Sequence, residues 1–248
     1  MLMPTIGPFE FPTAAAAGGA QAKTPLGPVR QRALRESVFE ALLMAIVRGD
    51  MKPGTWFNHQ RLAEHLQVSA TPLREALQEL AGCGIVENQH NRGTVVRPFG
   101  PTQLSEIFYV RALLETEATR LACSRIERDA LADLQAQTSE LMAKRSSHQW
   151  TAEVIANDER VHSLIAGACG NQRLKEEIFR YRSLLTCIRR AVADHHYPFD
   201  LALPEHLKVI KALLRQQADE AAKAMHQHIL SSAKVCGDLL FPEAKAKN

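Results

Sequence analysis

Residues 51–96 read MKPGTWFNHQRLAEHLQVSATPLREALQELAGCGIVENQHNRGTVV, and the spacing in this stretch decides the fold of the first part of the chain. Asn58 is placed to cap a helix over 60–66, because its side-chain oxygen can take a free backbone N–H. Gln67-Val68-Ser69 makes a tight turn. A further helix runs from Thr71 to Cys83, with Pro72 in its first turn, where no N–H is required, and Gly84 stops it. Ile85–Asn88 and Thr94–Arg97 flank the polar turn 89–93 and predict a hairpin. Leu62, Ala63, Leu66, Val68, Leu73, Ala76, Leu77 and Leu80 recur at the spacing of a packed seam between the two helices.

Upstream, Val38, Ala41, Leu42, Ala45 and Ile46 predict a first helix over 29–48, ended by Gly49 and Pro53, with a short strand at 55–57. Helix, short helix, three-residue turn, helix, hairpin is the order of a winged helix-turn-helix. One helix must enter the major groove of DNA while the others hold its angle. The exposed start of the third helix offers Ser69, Ala70, Thr71 and Arg74, and an arginine can fork two hydrogen bonds onto a guanine edge or a phosphate. The tip of the wing, Asn91-Arg92-Gly93-Thr94, brings a cation and a pliable backbone to the minor groove or the phosphates. Taken singly, Arg74 beside Glu75 also fits a solvated helix surface, and Gly93 a plain hairpin turn.

The 248 residues suffice for two modest domains. With 46% hydrophobic and 23% charged residues, the composition is that of a globular protein. A net charge of +3 requires a DNA binder to gather its basic residues on one face. No apolar run approaches the ~20 residues that span a bilayer, so no membrane partner is expected. Residues 1–28, rich in Ala, Gly and Pro with only Glu10 and Lys23 charged, read as a disordered tail without a signal peptide. Cys83, Cys123, Cys169, Cys187 and Cys236 are odd in number and never spaced Cys-x-x-Cys, which predicts reduced thiols in the cytoplasm. The expected layout is a DNA-binding domain over 29–98, a linker over 99–103, an all-helical domain over 104–240 and a tail over 241–248. Helix breaks are expected near 146–150, 167–171, 195–204 and 216–219.

Within the helical part, Asp158 and His162 lie four apart and stack on one helix face. His206 is read as beginning a later helix, and His228 as lying near the middle of the next. Three imidazoles and one carboxylate suit a borderline divalent cation, zinc or nickel. The Asp-x-x-x-His pair by itself is also a common helix-surface pattern. Arg111 can pair with the carboxylate of an effector or with Glu115 at i+4.

Residues 35–98 closely resemble the DNA-binding domain of the GntR family of bacterial regulators, on PGT at 53–55, LAEHLQVSATPLREAL at 62–77, GIV at 84–86 and RGTVV at 92–96. The resemblance implies that Arg74 contacts DNA and that Gly93 is the wing glycine. Gln60 stands where fatty-acid-responsive members carry a base-contacting arginine, and Ala70 where an arginine is common, so the usual operator of the family is not carried over. The remainder resembles the FCD domain of the FadR-like branch, on IFYVRALLETEATRLA at 107–122, NDERVHSLIAGACGNQRL at 157–174 and PEHLKVIKALLRQQADEAAKAMHQHIL at 204–230. That implies a mainly α protein, an N-terminal winged helix-turn-helix followed by a helical-bundle sensor, with metal held by Asp158, His162, His206 and His228. It implies a homodimeric regulator, in the usual case a repressor, binding a palindromic double-stranded operator and answering to a small organic acid. Two alternatives stand beside it: a DNA-binding regulator whose helical domain is purely structural, and a helical metalloenzyme. The latter needs a general base beside the metal, and Glu159 faces another side of its helix.

Overall fold

The computed structural model describes residues 28–89, 92–144 and 150–242. The expected N-terminal tail falls outside these except for Pro28, and of the expected C-terminal tail only Phe241 and Pro242 are described.

The first body comprises α1 (Pro28–Val47), β1 (Trp56–Phe57), α2 (His59–His65), α3 (Ala70–Gly82), β2 (Val86–Gln89) and β3 (Gly93–Val96). The strands form an antiparallel sheet in the order β1-β3-β2, with Trp56 opposite Val95 and Val86 opposite Val96. On α1 the buried stripe is Val38, Phe39, Leu42, Leu43 and Ile46. Ala41, expected to face inward, is exposed, because it lies well outside the arc that those five positions cover at 100° per residue. Asn58 caps α2 as expected, accepting the Arg61 N–H at 3.1 Å. Gln67 then takes a left-handed conformation with φ +54°. This costs a non-glycine residue roughly 1–2 kcal/mol, and it turns the chain so that α3 can lie across α2. Leu73, Ala76, Leu77 and Leu80 of α3 and Leu62 and Ala63 of α2 are buried in the seam. Leu66 and Val68 pack at its half-buried edge.

The second body is helical: α4 (Pro101–Ala122), α5 (Arg128–Ala143), α6 (Trp150–Ala168), α7 (Gln172–Arg180), α8 (Arg182–Ala191), α9 (Tyr197–Leu214) and α10 (Ala218–Leu240). α4 lies centrally against α10, α6 and α7, and α9 lies between α5 and α10. No helix among the described residues is long and apolar enough to cross a membrane.

Four boundaries differ from expectation. The linker expected at 99–103 gives way at Pro101, which starts α4, because a helix loses nothing when its first residue lacks an N–H. The break expected over 195–204 ends at Tyr197, and Pro204 lies inside α9. Phe199, Leu203, His206, Val209, Ile210 and Leu213 form a buried stripe there, and its burial outweighs the backbone hydrogen bond that a mid-helix proline removes. His206 is therefore in mid-helix, not at a helix start. The turn between α4 and α5 and the step at Tyr181 between α7 and α8 were not expected. Of the break expected at 146–150, residues 146–149 lie outside the described residues and Trp150 opens α6.

The two bodies touch along α1 and α8. Arg190 of α8 forms an ion pair with Glu40 of α1, and the Cys83 thiol donates to the Arg180 carbonyl at 3.5 Å. All five cysteines are buried and free. Burial pushes Cys83 and Cys187 up to about 12, so neither is a nucleophile near neutral pH.

Candidate nucleic-acid interface and metal centre

The leading edge of α3 is open. Ser69 is its N-cap residue but makes no side-chain cap bond, and Ser69, Ala70, Thr71 and Arg74 are all exposed. Arg74 makes no contact with Glu75; adjacent helix positions point to different faces. A groove of about 380 Å³ between α2 and α3 is bordered by His59, Gln60, Gln67, Ala70 and Arg74. Gln60 is exposed and donates to Glu64 Oε1 at 3.2 Å. At the wing, Arg92 is exposed, while its neighbours His90 and Asn91 lie outside the described residues. Gly93 has φ +100°, a left-handed conformation that L side chains rarely adopt.

One residue of this face went unnoticed in the sequence. His59, the first residue of α2, has its Nε2 2.9 Å from Thr94 Oγ1, and the Thr94 hydroxyl donates to Asn88 Oδ1 at 2.6 Å. Thr94 has a single proton and donates it to Asn88, so the His59 ring donates through Nε2. The chain ties the wing to the start of α2. Thr94, expected at the wing tip, is buried in that chain. His59 and Thr94 are 35 residues apart, so no local pattern marks the pair.

In the helical body, α6 presents Asp158 and His162, α9 presents His206 and α10 presents His228, all buried. One ligand atom from each lies within 4.8 Å of all the others. His206 Nε2 and His228 Nε2 are 3.0 Å apart. Asp158 Oδ1 is 3.5 Å from His206 Nε2 and 3.8 Å from His162 Nε2. Zinc–nitrogen bonds of ~2.0–2.1 Å in a tetrahedron place donor atoms roughly 3.3 Å apart, so these residues fit a metal of that kind.

The surrounding groups hold the donors in place. His228 Nδ1 is bonded to Glu205 Oε2 at 2.9 Å, and His162 Nδ1 to Glu115 Oε2. A carboxylate behind an imidazole fixes its tautomer and turns the other nitrogen toward a cation. Asp158 points Oδ1 at the imidazoles and Oδ2 at Arg189 of α8. Burial would raise the Asp158 carboxyl, but Arg189, His162 and His206 outweigh it and hold it well below the usual carboxylate range. Burial lowers His162 and His206, the latter strongly, which keeps both neutral and able to act as ligands.

Arg111 is buried in an ion pair with Glu115, and its Nη2 stands 3.1 Å from His162 Nε2. The i+4 bridge is thus formed. Arg111 also borders a cavity of about 40 Å³ with Arg189, Asp158, Phe199, Ser231 and Val235. Glu115, Arg189 and Glu205 were all missed in the sequence as parts of this centre. Glu115 was considered only as a partner for Arg111, and Arg189 lies outside the segments that carry the resemblance. Glu115 is no candidate base. Although burial opposes it, Arg111 and His162 hold its carboxyl down at about 2, too weak to take a proton near neutrality.

Comparison with known proteins agrees with both halves. Residues 34–96 match the family model described as "Bacterial regulatory proteins, gntR family", and residues 106–231 match the FCD domain. The Nta operon transcriptional regulator of Aminobacter aminovorans is 32% identical over 179 residues, covering 72% of this chain and 82% of that protein. The HTH-type transcriptional repressor RspR of Escherichia coli is 24% identical over 207 residues, covering 84% and 90%. Among solved structures, E. coli McbR/YncC superimposes with a TM-score of 0.61 at 20% identity, covering 87% of this chain and 99% of that one, which is a likeness of fold.

Proposed function

Since this chain belongs to the gntR family of bacterial regulatory proteins, with an FCD domain behind its DNA-binding module, we propose that it is a cytoplasmic, homodimeric repressor controlled by a small organic acid. Members of this family are DNA-binding transcriptional regulators, not enzymes. Each subunit reads one half of a palindromic operator through Arg74, Gln60, Ser69, Ala70 and Thr71, with Arg92 and Gly93 at the wing. Asp158, His162, His206 and His228 hold a divalent cation, zinc or nickel. When bound, the cation supplies a positive centre with a position for a carboxylate.

The observation that carries this reading is the convergence of the four donors next to a cavity bordered by two buried or half-buried arginines. A cavity of about 40 Å³ holds only a few water-sized groups. An organic acid must therefore push its walls apart, and α8 is one of those walls. Its Arg189 faces Asp158 and the cavity, while the next residue, Arg190, holds Glu40 of the DNA-binding body. Displacing α8 thus changes the seat of α1, and effector and DNA must alter each other's affinity by the same factor.

Titration of the metal-loaded protein on its operator with a panel of mono-, di- and tricarboxylates tests this. One acid is expected to shift operator affinity, and the shift is expected to shrink in Glu40→Ala with basal DNA binding kept. If no acid binds or shifts the affinity, the helical body has only a structural role. On the DNA side, Arg74→Ala is expected to weaken operator binding by about 1–3 kcal/mol in a mobility-shift titration. Unchanged affinity removes Arg74 from the reading set, and an equal loss on random DNA makes it a phosphate contact.

A further inference from the structure

The cavity beside the four donors is apolar on every side. Phe108 reaches it from α4, Val154 from α6, Leu185 and Ile188 from α8, Phe199 from α9 and Val235 from α10, so each helix that borders it contributes a hydrocarbon wall. Among the described residues, charge enters at four points only: Arg111, Asp158, Arg189 and Glu205. Each of the four is already matched. Arg111 is paired with Glu115, Arg189 with Asp158, and Glu205 with His228 Nδ1. The other arginines of α8 bring nothing more, because Arg182 is held by Glu159 and Arg190 by Glu40.

The balance of these charges limits what can enter. With a divalent cation held by neutral imidazoles, that cation and the two arginines carry four positive charges, and Asp158, Glu115 and Glu205 carry three negative ones. One positive charge is left, and one carboxylate neutralises it. A second carboxylate on the same guest would stand between apolar walls without a counter-charge, and a buried unpaired charge costs far more than a buried neutral group. Ser231 and Ser232 also line the cavity. Their hydroxyls can meet a neutral hydroxyl or carbonyl of the guest, but they carry no charge. Carbon is what the remaining walls favour, because apolar surface gains by leaving water for them.

We infer that the effector is a compact monocarboxylate with an apolar body, and that the cavity rejects a second carboxylate. The acid group belongs at the charged end, with Asp158 and Arg189, and the carbon body against Phe108, Phe199, Leu201 and Val235. The cavity measures only about 40 Å³, so a compact body is favoured, since each added carbon must displace packed side chains. The inference rests on the organic-acid reading above and specifies which kind of acid.

Calorimetric titration of the metal-loaded full chain tests it, with pairs of acids in which a carboxylate replaces a methyl group: butyrate and succinate, valerate and glutarate, para-toluate and terephthalate. In at least one pair the monocarboxylate is expected to bind at least about tenfold more tightly than its partner. Its binding is expected to carry a negative heat-capacity change, the mark of apolar burial. Leu201 is a half-buried part of the wall. Leu201→Asn makes that wall polar and is expected to weaken the same acid by about fivefold to tenfold, with metal content unchanged. The parent series decides the matter if that variant does not fold. A dicarboxylate that binds as tightly as its partner, or a folded Leu201→Asn that binds the monocarboxylate as well as the parent, overturns the inference and leaves the organic-acid reading standing. The same holds if citrate binds and none of the six acids does. If neither citrate nor any of the six binds, the organic-acid reading falls as well.

Discussion

Replacing His206 and His228 together by alanine is expected to abolish stoichiometric binding of zinc or nickel. The two Nε2 atoms lie 3.0 Å apart at the heart of the cluster, and both residues are only 1% exposed. Substituting partners one bond further out typically costs 10–100-fold in metal affinity, so losing two direct donors should exceed roughly 100-fold. A metal that binds only the folded chain also stabilises it, by about 4 kcal/mol when present at a thousand times its Kd. The parent's melting temperature should accordingly rise on adding metal, and the variant's should not. Operator binding without effector should survive, because α3 and the wing lie in the other body. Elemental analysis after exhaustive dialysis and metal add-back, with melting curves on the same samples, gives the answer. A variant that retains one metal per chain would remove these two histidines from the centre.

Glu115→Ala is expected to be the most destabilising single substitution in the helical body. Glu115 is 2% exposed and Arg111 3%, and the carboxylate also holds His162 Nδ1. Removing it leaves a buried guanidinium without its counter-charge, which costs about 3–5 kcal/mol. The double variant Arg111→Met/Glu115→Ala should recover a large part of that loss, since the stranded charge is gone while the aliphatic volume remains. Denaturant unfolding measures both. A loss below ~1 kcal/mol for the single variant would show that water or another group replaces the carboxylate.

The glutamate illustrates where the sequence was informative and where it was not. Asp158 and His162 are visible as a pair because helical periodicity places i and i+4 on one face whatever else the chain does. That Glu115 stands behind His162, or Arg189 behind Asp158, depends on how α4, α6 and α8 cross. No spacing within one helix reports the angle between two. The misplacement of His206 has a different cause. Proline counted as a helix breaker, and only the buried stripe from Phe199 to Leu213 shows why the helix continues through Pro204.

By itself, the sequence determined the reading module. Its elements follow one another within about sixty residues, and each is defined by local chemistry: the Asn58 cap, the turn at Gln67, Pro72 in a first turn and Gly84 and Gly93 at positive φ. It also determined the four candidate metal donors, since residue type fixes what can bind a cation. Tertiary structure alone decided how those donors are supported and connected. The pairing of Arg111 with Glu115 and His162, the two faces of α8 and the bond from His59 to Thr94 all join residues on separate elements or choose between open partners. Such contacts are set by the packing of helix faces, a property of the whole core that no short run of residues encodes.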